Sequence, residues 1–433
     1  MTEPVGVSML GAGNVGGGVI AAVTASAARY ERTIGRPLEL RRALVRDVGR
    51  ARPGLDRSQL TTDLADILAD AGTQIVIELM GGEDPAHDYI AQVLASGRHV
   101  VTANKEVMAK HGAELLALAA KHDVRLLYEA SVGGGIPIIS PLSRDLLANE
   151  VTAVTAIING TTNFMLTAMA TEGADYADVL AEAQRLGYAE PDPTADVEGF
   201  DAAYKLAILC GLAFGLEIAP DAIDRQGISS LTARDFEYAA ELGYTIKLLA
   251  GARLNDGALI ASVRPTLIDR DEPLAKVDGV LNAVQIEGDL VGRVLFEGPG
   301  AGAAPTASAV LADVLELVRD IVAGRAPLPV APLAPGRVVP PASHRSRYYV
   351  RLTVPDQAGV LAQIAGALGD RDVSIASVLQ FEDDEDAGTA ELVLTTHLAA
   401  GGDVLEALHQ IESAGVVQRV GNVLPIAGQG GAR

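Results

Sequence analysis

Six residues near the start of the chain, Gly11-Ala-Gly13-Asn14-Val15-Gly16, limit the available folds more than any other segment. They follow an apolar run, Val5-Gly-Val-Ser-Met-Leu10, that reads as a strand, and they open residues 14–29, which read as an Ala- and Val-rich helix. Gly11 permits a tight turn, Gly13 lets backbone approach a pyrophosphate, and Gly16 allows close helix–strand packing. Amide N–H groups of the first helical turn, at Asn14 and Val15, then face the anion. The glycine spacing alone is a weak signal, and the strand–turn–helix context is what strengthens it. A chance glycine loop is the plain alternative, and it leaves three spaced glycines at such a junction without a ligand.

The surrounding pattern extends this reading. Further strands are predicted at 40–45, 74–79, 99–102 and 124–128, with helices at 86–96 and 106–121 between them. Strand–helix alternation of this kind gives a parallel sheet covered on both faces, so residues 1–148 are read as a Rossmann-type dinucleotide-binding domain. An amphipathic helix at 305–323 is expected to pack back on it, within a segment 300–323. Residues 149–299 change texture, with strands at 151–158, 258–264 and 290–296 and helices at 163–171, 175–186, 199–214 and 235–250. This reads as an α+β substrate and dimerisation domain. Residues 324–347 hold six prolines and four arginines without one acidic residue, the composition of an extended linker. Residues 348–433 read strand, helix, strand, strand, helix, strand, a ferredoxin-like module. The acidic run at 382–386 is expected to cap a solvated hairpin. The fold class is therefore α/β with three parts.

Charge and cysteine content exclude several functions. With 34 Lys and Arg against 56 Asp and Glu, the formal charge is −22, and so acidic a chain repels phosphate backbones. Nucleic acid is not expected as a partner. The single cysteine, Cys210, excludes a disulfide framework and suits a reducing cytoplasm. Two uncharged stretches, 4–28 and 151–171, are interrupted by glycines and by Asn159-Gly-Thr-Thr-Asn163, and the first lacks the basic start of a signal peptide. No membrane partner is expected, and the chain is read as cytoplasmic.

Three further clusters carry chemistry. Val45-Arg46-Asp47 ends the second strand: Arg46 suits a 2′-phosphate, Asp47 suits ribose hydroxyls, and a surface ion pair is the plain alternative. The reading favours NADP, or use of both NADP and NAD. Thr102-Ala-Asn104-Lys105 sits past a strand's carboxyl end, where open α/β sheets bind ligands. The densest polar cluster runs from Glu190 through Pro191, Asp192, Pro193 and Asp196 to Asp201 and Lys205. Asp201 and Lys205 lie four apart on one helix face, and a plain salt bridge there contributes only about 0.2–0.5 kcal/mol. Rigid prolines that deliver more carboxylates just upstream favour chemistry instead. A lysine among acids can serve as a proton donor while the carboxylates hold a substrate ammonium.

At this point the sequence resembles a known family, homoserine dehydrogenase, in its three-part form with a C-terminal ACT domain. The resemblance covers essentially the whole chain. It rests on Gly11–Gly16, Thr102-Ala-Asn-Lys105, Glu129-Ala-Ser-Val132-Gly-Gly134-Gly-Ile136-Pro, Asn159-Gly-Thr-Thr-Asn163, Gly187-Tyr-Ala-Glu190-Pro-Asp-Pro-Thr-Ala-Asp196, Asp201-Ala-Ala-Tyr-Lys205 and Gly300-Ala-Gly302. The resemblance implies hydride transfer between a nicotinamide and the aldehyde carbon of L-aspartate 4-semialdehyde, giving L-homoserine. Lys205 matches the family's proton donor, Glu190 and Asp201 match substrate-holding residues, and Asp196 matches an assisting one. Thr102 and Lys105 fall on the cofactor side, with Lys105 also facing the reaction centre. Gly187 and Gly302 match backbone contacts to cofactor or substrate.

The resemblance further implies a monovalent cation, usually sodium, at Glu129, Val132, Gly134 and Ile136, largely through main-chain oxygens. A Gly-rich turn is the plain alternative. No Cys/His cluster in the sequence suggests zinc. Pro355-Asp356-Gln-Ala-Gly359 matches the effector loop of ACT domains, with Asp356 and Gly359 as candidate allosteric residues and L-threonine as the implied effector. A module that only stabilises assembly is the alternative. A homodimer or homotetramer is implied. Two rival readings are another ACT-bearing dehydrogenase and a non-catalytic amino-acid sensor. The first usually relies on a His–acid pair that this sequence does not display, and the second predicts loss of groups such as Lys205.

Overall fold

A computed structural model of the chain describes residues 3–255, 257–327, 331–384 and 388–428. The acidic run at 382–386 falls outside the residues whose side chains are described. In chain order the elements begin with β1 (Val5–Leu10), α1 (Asn14–Ile34), β2 (Leu38–Leu44), β3 (Leu60–Thr61), α2 (Leu64–Leu68) and β4 (Thr73–Glu78). They continue with α3 (Ala86–Ala95), β5 (His99–Thr102), α4 (Lys105–Lys121), β6 (Leu126–Leu127) and β7 (Val151–Ile157). Four helices and a short strand follow: α5 (Gly160–Glu172), α6 (Tyr176–Leu186), α7 (Thr194–Val197), α8 (Phe200–Phe214) and β8 (Leu216–Glu217). Next come β9 (Asp224–Arg225), α9 (Ala233–Glu241), β10 (Tyr244–Asn255), β11 (Ala258–Asp269), β12 (Leu281–Gly288), β13 (Gly292–Pro299) and α10 (Ala303–Ala323). The last are β14 (Ala334–Pro335), β15 (Arg345–Pro355), α11 (Val360–Gly369), β16 (Ile375–Asp384), β17 (Thr389–Thr396), β18 (Ala399–Ala400), α12 (Gly401–Ser413) and β19 (Arg419–Ile426).

The chain divides into two compact units that do not follow sequence order: Met1–Val154, Tyr204–Pro220 and Asn282–Gly336 form the first, and Thr155–Ala203, Asp221–Leu281 and Arg337–Arg433 the second. In the first unit a parallel sheet has strand order β3-β2-β1-β4-β5-β6. Every residue of β1 is buried, as expected of a central strand covered on both faces, and this explains its apolar sequence, interrupted by Ser8, whose hydroxyl is hydrogen-bonded to Thr73 Oγ1 at 2.7 Å. α10 packs along α1 as the sequence suggests, and Val310, Val314, Leu317 and Val318 share one core with Val19, Ile20 and Val23.

In the second unit the sheet runs β10-β11-β19-β15-β17-β16. β10 and β11 form a long antiparallel hairpin, and β19 joins β11 in parallel through Leu267 and Ile426. The C-terminal module therefore continues the sheet of the hairpin. Side chains of β15 alternate, so Tyr348, Val350, Leu352 and Val354 enter the core beneath α11 and α12. The opposite face is polar and buried. There Asp235 of α9 pairs with Arg351 at 2.9 Å and accepts hydrogen bonds from Asn422 Nδ2 at 2.8 Å and Tyr349 Oη at 3.2 Å. Glu391 pairs with Arg351 and Arg234 and accepts from the Tyr238 hydroxyl.

One sequence expectation changes. The helix expected over 235–250 stops at Glu241, Gly243 adopts a φ of +85°, and 244–255 is strand β10. Ile246 to Ala250 are all buried, so both faces of the strand are covered and the apolar run carries no period-2 signature. The segment at 324–347 is extended but not free. β14 pairs with β8 in the first unit, while Val338 bridges Leu259 in the second. Leu333 lines an apolar cavity of about 250 Å³ with Met108, Leu116, Ile208 and Leu212. Pro332 lines the same cavity and Pro335 pairs with Glu217, so prolines and aliphatic residues both take part in this docking. Among the described residues no helix is long and apolar enough to cross a membrane.

Candidate active site

The glycine turn lies between β1 and α1, beside the carboxyl end of β4. Gly11 has a φ of +98°, and a Cβ there would sit 2.8 Å from the Leu79 carbonyl oxygen. A Cβ at Gly16 would lie 2.7 Å from the Gly11 oxygen, so both positions require glycine. Gly13 and Asn14 are exposed, Val15 is half-buried, and space around Gly13 is open. No acidic residue occupies the first turn of α1, whose N–H groups and dipole favour an anion. A cavity of about 450 Å³ at this turn is lined by Gly13, Asn14, Gly17, Arg50 and Arg52. Arg46 is exposed just past β2 and does not line that cavity. Asp47 caps its own loop by accepting the Gly49 N–H at 2.7 Å. The two arginines at 50 and 52 lie in a loop that carries no sequence periodicity, so position relative to the turn was the missing signal.

The carboxyl ends of β4 and β5 hold a buried polar cluster, of which the sequence singled out Thr102 and Asn104 but not Glu78. Glu78 is fully buried, accepts from Thr102 Oγ1 at 2.5 Å and accepts from the Met80 N–H at 2.6 Å. Burial raises its carboxyl above the ordinary value despite these bonds. Thr102 Oγ1 also accepts the Asn104 N–H, and Asn104 caps α4 by accepting from the Val107 N–H at 3.1 Å. Lys105 therefore opens α4 from a fixed cap and is half-buried.

In the second unit one amide organises the substrate-side carboxylates. Asn159 Nδ2 donates to Asp196 Oδ1 at 2.7 Å and to Asp201 Oδ2 at 2.9 Å. Its Oδ1 accepts the Thr162 N–H at 2.9 Å, which caps α5. Asp201 is 3% exposed, Asp196 is half-buried and Glu190 is exposed. Asp201 lies at the start of α8, and Lys205, four residues further along the same helix, belongs to the first unit and is half-buried. Gly187 ends α6 in the left-handed region. Asn159 had appeared only as part of a motif; its bridging role needs the two acids, 37 and 42 residues away, to be folded beside it.

The proposed cation loop is in the first unit. The Glu129 carboxylate accepts N–H bonds from Ile138, Ile139 and Ser140 at 2.6 to 2.9 Å, so its side chain is engaged by backbone. The Glu129 N–H donates to Asp313 Oδ2, whose carboxyl burial raises well above its ordinary value. Val132, Gly134 and Ile136 are buried. The loop's own bonds use other oxygens: the Ile136 N–H bonds Gly133 O, and the Gly135 N–H bonds Pro299 O. Gly302 caps α10 at the far side of this loop, with a φ of +117°. In the C-terminal module, Asp356 and Gly359 are exposed at the β15–α11 junction, and Gly359 (φ +94°) is the N-cap of α11.

Comparison with known proteins decides the family. A profile described as homoserine dehydrogenase matches residues 137–315, its NAD-binding domain matches 11–129, and the ACT domain matches 348–413. Homoserine dehydrogenase of Pseudomonas aeruginosa is 41% identical over 419 residues, 95% of this chain and 96% of the relative. The chain belongs to the homoserine dehydrogenase family. A crystal structure of a homoserine dehydrogenase from Thiobacillus denitrificans superposes with a TM-score of 0.92 at 41% identity, covering 98% of each chain. A hyperthermophilic archaeal homoserine dehydrogenase in complex with NADPH gives 0.61 at 29% identity, over 72% of this chain and 97% of that one. As a homoserine dehydrogenase, the chain is an oxidoreductase with a nicotinamide-binding Rossmann-like sheet, a catalytic region and an ACT module.

Proposed function

We propose that the chain reversibly reduces L-aspartate 4-semialdehyde to L-homoserine with NADP(H), and that an amino acid, L-threonine, controls it through the ACT module. The observation that carries the substrate assignment is Asn159 holding Asp196 and Asp201 together, one helical turn before Lys205. Paired carboxylates fixed by one amide suit the ammonium of an amino-acid substrate, and exposed Glu190 adds a third negative charge. When bound, the nicotinamide supplies or accepts a hydride at the carbonyl carbon. Lys205 gives its proton to the oxygen as the carbonyl π pair moves onto it, and it recovers a proton from water. Lys105, held at the start of α4, adds positive charge for the cofactor and the reacting oxygen. The glycine turn receives the pyrophosphate on the N–H groups of α1.

For the adenosine side, the NADPH found with an archaeal relative supports NADP. Arg46 stays a candidate for the 2′-phosphate, joined by Arg50 and Arg52 on the cavity at the glycine turn. The loop at Glu129, Val132, Gly134 and Ile136 fits a sodium ion, because these buried carbonyls are not the oxygens its own hydrogen bonds use. Such an ion would supply positive charge that fixes the loop; the hydride step needs no Lewis acid. A cytoplasmic homodimer or homotetramer completes the reading.

Steady-state oxidation of L-homoserine, run in parallel with NADP and NAD and with and without L-threonine, tests it. Turnover that favours NADP and falls with threonine is expected. Absence of turnover with both cofactors would overturn the substrate assignment, and threonine-insensitive turnover would overturn the effector.

A further inference from the structure

The sequence shows no spaced Cys/His pattern of a metal site, yet in the first unit the packed pair α3 and α4 brings two histidines and a carboxylate together. His87 lies in the first turn of α3, and His111 and Glu114 lie three apart on α4 and so share a face. The two imidazoles meet with ring centroids 4.3 Å apart. One ligating atom from each of His87, His111 and Glu114 lies within 4.8 Å of the others. Tetrahedral coordination at zinc–ligand distances near 2 Å needs separations of roughly 3.3 Å, a contraction that a long glutamate side chain absorbs. Glu114 is free to make it, with a side chain 67% exposed.

The outer partners of both rings match those of metal-bound histidines. His87 Nδ1 lies 3.2 Å from Asp88 Oδ1. His87 Nε2 is left as a buried atom with no hydrogen bond, 3.8 Å from Glu114 Oε2. His111 Nε2 lies 2.8 Å from Glu83 Oε1, which leaves its other nitrogen with a lone pair. A carboxylate on the far nitrogen of a ligating histidine fixes its tautomer and raises its basicity. Two histidines and one carboxylate, each on a rigid helix, form a set suited to a borderline divalent ion with one position left for water.

We propose that His87, His111 and Glu114 form a binding site for a borderline divalent cation, Zn²⁺ or Co²⁺, that ties α3 to α4. The site is separate from the loop at 129–136, whose oxygen ligands suit a hard monovalent ion. Cys210 offers no competing thiolate, being buried with its thiol pushed up to about 12.

The test uses the full chain, stripped of metal by a chelator and titrated with Zn²⁺ by calorimetry and with Co²⁺ by visible absorption. One equivalent per chain is expected, with a cobalt ligand-field band and a rise in melting temperature. His111→Ala and Glu114→Gln should each weaken binding at least tenfold, and His409→Ala, outside the cluster, should not. Glu114→Gln changes an exposed side chain, so an unchanged melting temperature in chelator separates loss of the ligand from loss of the fold. Absence of Zn²⁺ binding by the unmodified chain, or binding that survives both His111→Ala and Glu114→Gln, would overturn the proposal.

Discussion

On the proposed function, the glycine turn and the Asn159 bridge receive two polar ligands by opposite means. At the turn, side chains are absent where backbone must approach, and helix N–H groups face open space. At the bridge, one amide gathers two carboxylates from a single segment far along the chain, and the backbone serves only as scaffold. A site built from backbone is written in a few consecutive residues. A site built from side chains is written only in the tertiary fold. The two should also fail differently: the first through cofactor affinity, the second through substrate binding and turnover.

The largest expected effect belongs to the side-chain site. Lys205→Ala should lower kcat by roughly 10²–10⁴-fold while cofactor binding by fluorescence titration stays unchanged. A kcat within threefold of the unmodified chain would remove Lys205 as the proton donor. Gly11→Ala probes the backbone site. With φ at +98° and a Cβ 2.8 Å from Leu79 O, it should cost about 1–3 kcal/mol in urea unfolding and weaken cofactor binding. If cofactor affinity holds, the turn is structural only, and the contrast between the sites collapses.

Asn159→Ala should cost about 1 kcal/mol from the lost cap of α5 and raise KM for L-homoserine, with KM for the cofactor constant. A shift in both constants would mean that the two sites are not separable. Arg46→Ala and Arg52→Ala, compared for KM with NADPH and NADH, ask which arginine reads the 2′-phosphate. The responsible one raises KM for NADPH several-fold more than for NADH, and equal effects discard it.

The smallest effect is a pH dependence beside the turn. The carboxyl of Glu78 is raised by burial, so the native chain holds a proton there that the unfolded chain releases above the ordinary value of 4.5. Its contribution to stability is complete below that value and is lost as pH rises through the folded pKa. Unfolding midpoints of Glu78→Gln should be flatter than those of the unmodified chain across that interval, and parallel curves would place Glu78 among ordinary carboxylates.

Legibility in the sequence follows the same division. β1, the start of α1 and the steric need for glycine at Gly11 and Gly16 were legible because each lies within one local run, while α1 continues to Ile34, past the expected end at 29. The ACT strands were also legible, since alternation along β15 places Val350, Leu352 and Val354 on one face. β10 was misread as helix because burial on both faces removes the period-2 pattern, and the break came from Gly243 alone. Glu78 gave no signal, since a lone acid ending an apolar strand looks like any strand end. Asn159, Arg50 and Arg52 gained their roles from neighbours far along the chain. The same holds for His87 and His111, 24 positions apart and joined only by helix packing.

The pairing of β19 with β11 has a consequence for heredity. A C-terminal module acquired by recombination brings Arg351, Glu391 and Asn422, while their counterparts Asp235 and Tyr238 stay behind in the recipient. A donor with an uncharged residue at 351 would strand a buried carboxylate in the host, at a cost of about 3–5 kcal/mol. The ACT module is therefore half of a lock whose other half lies in α9.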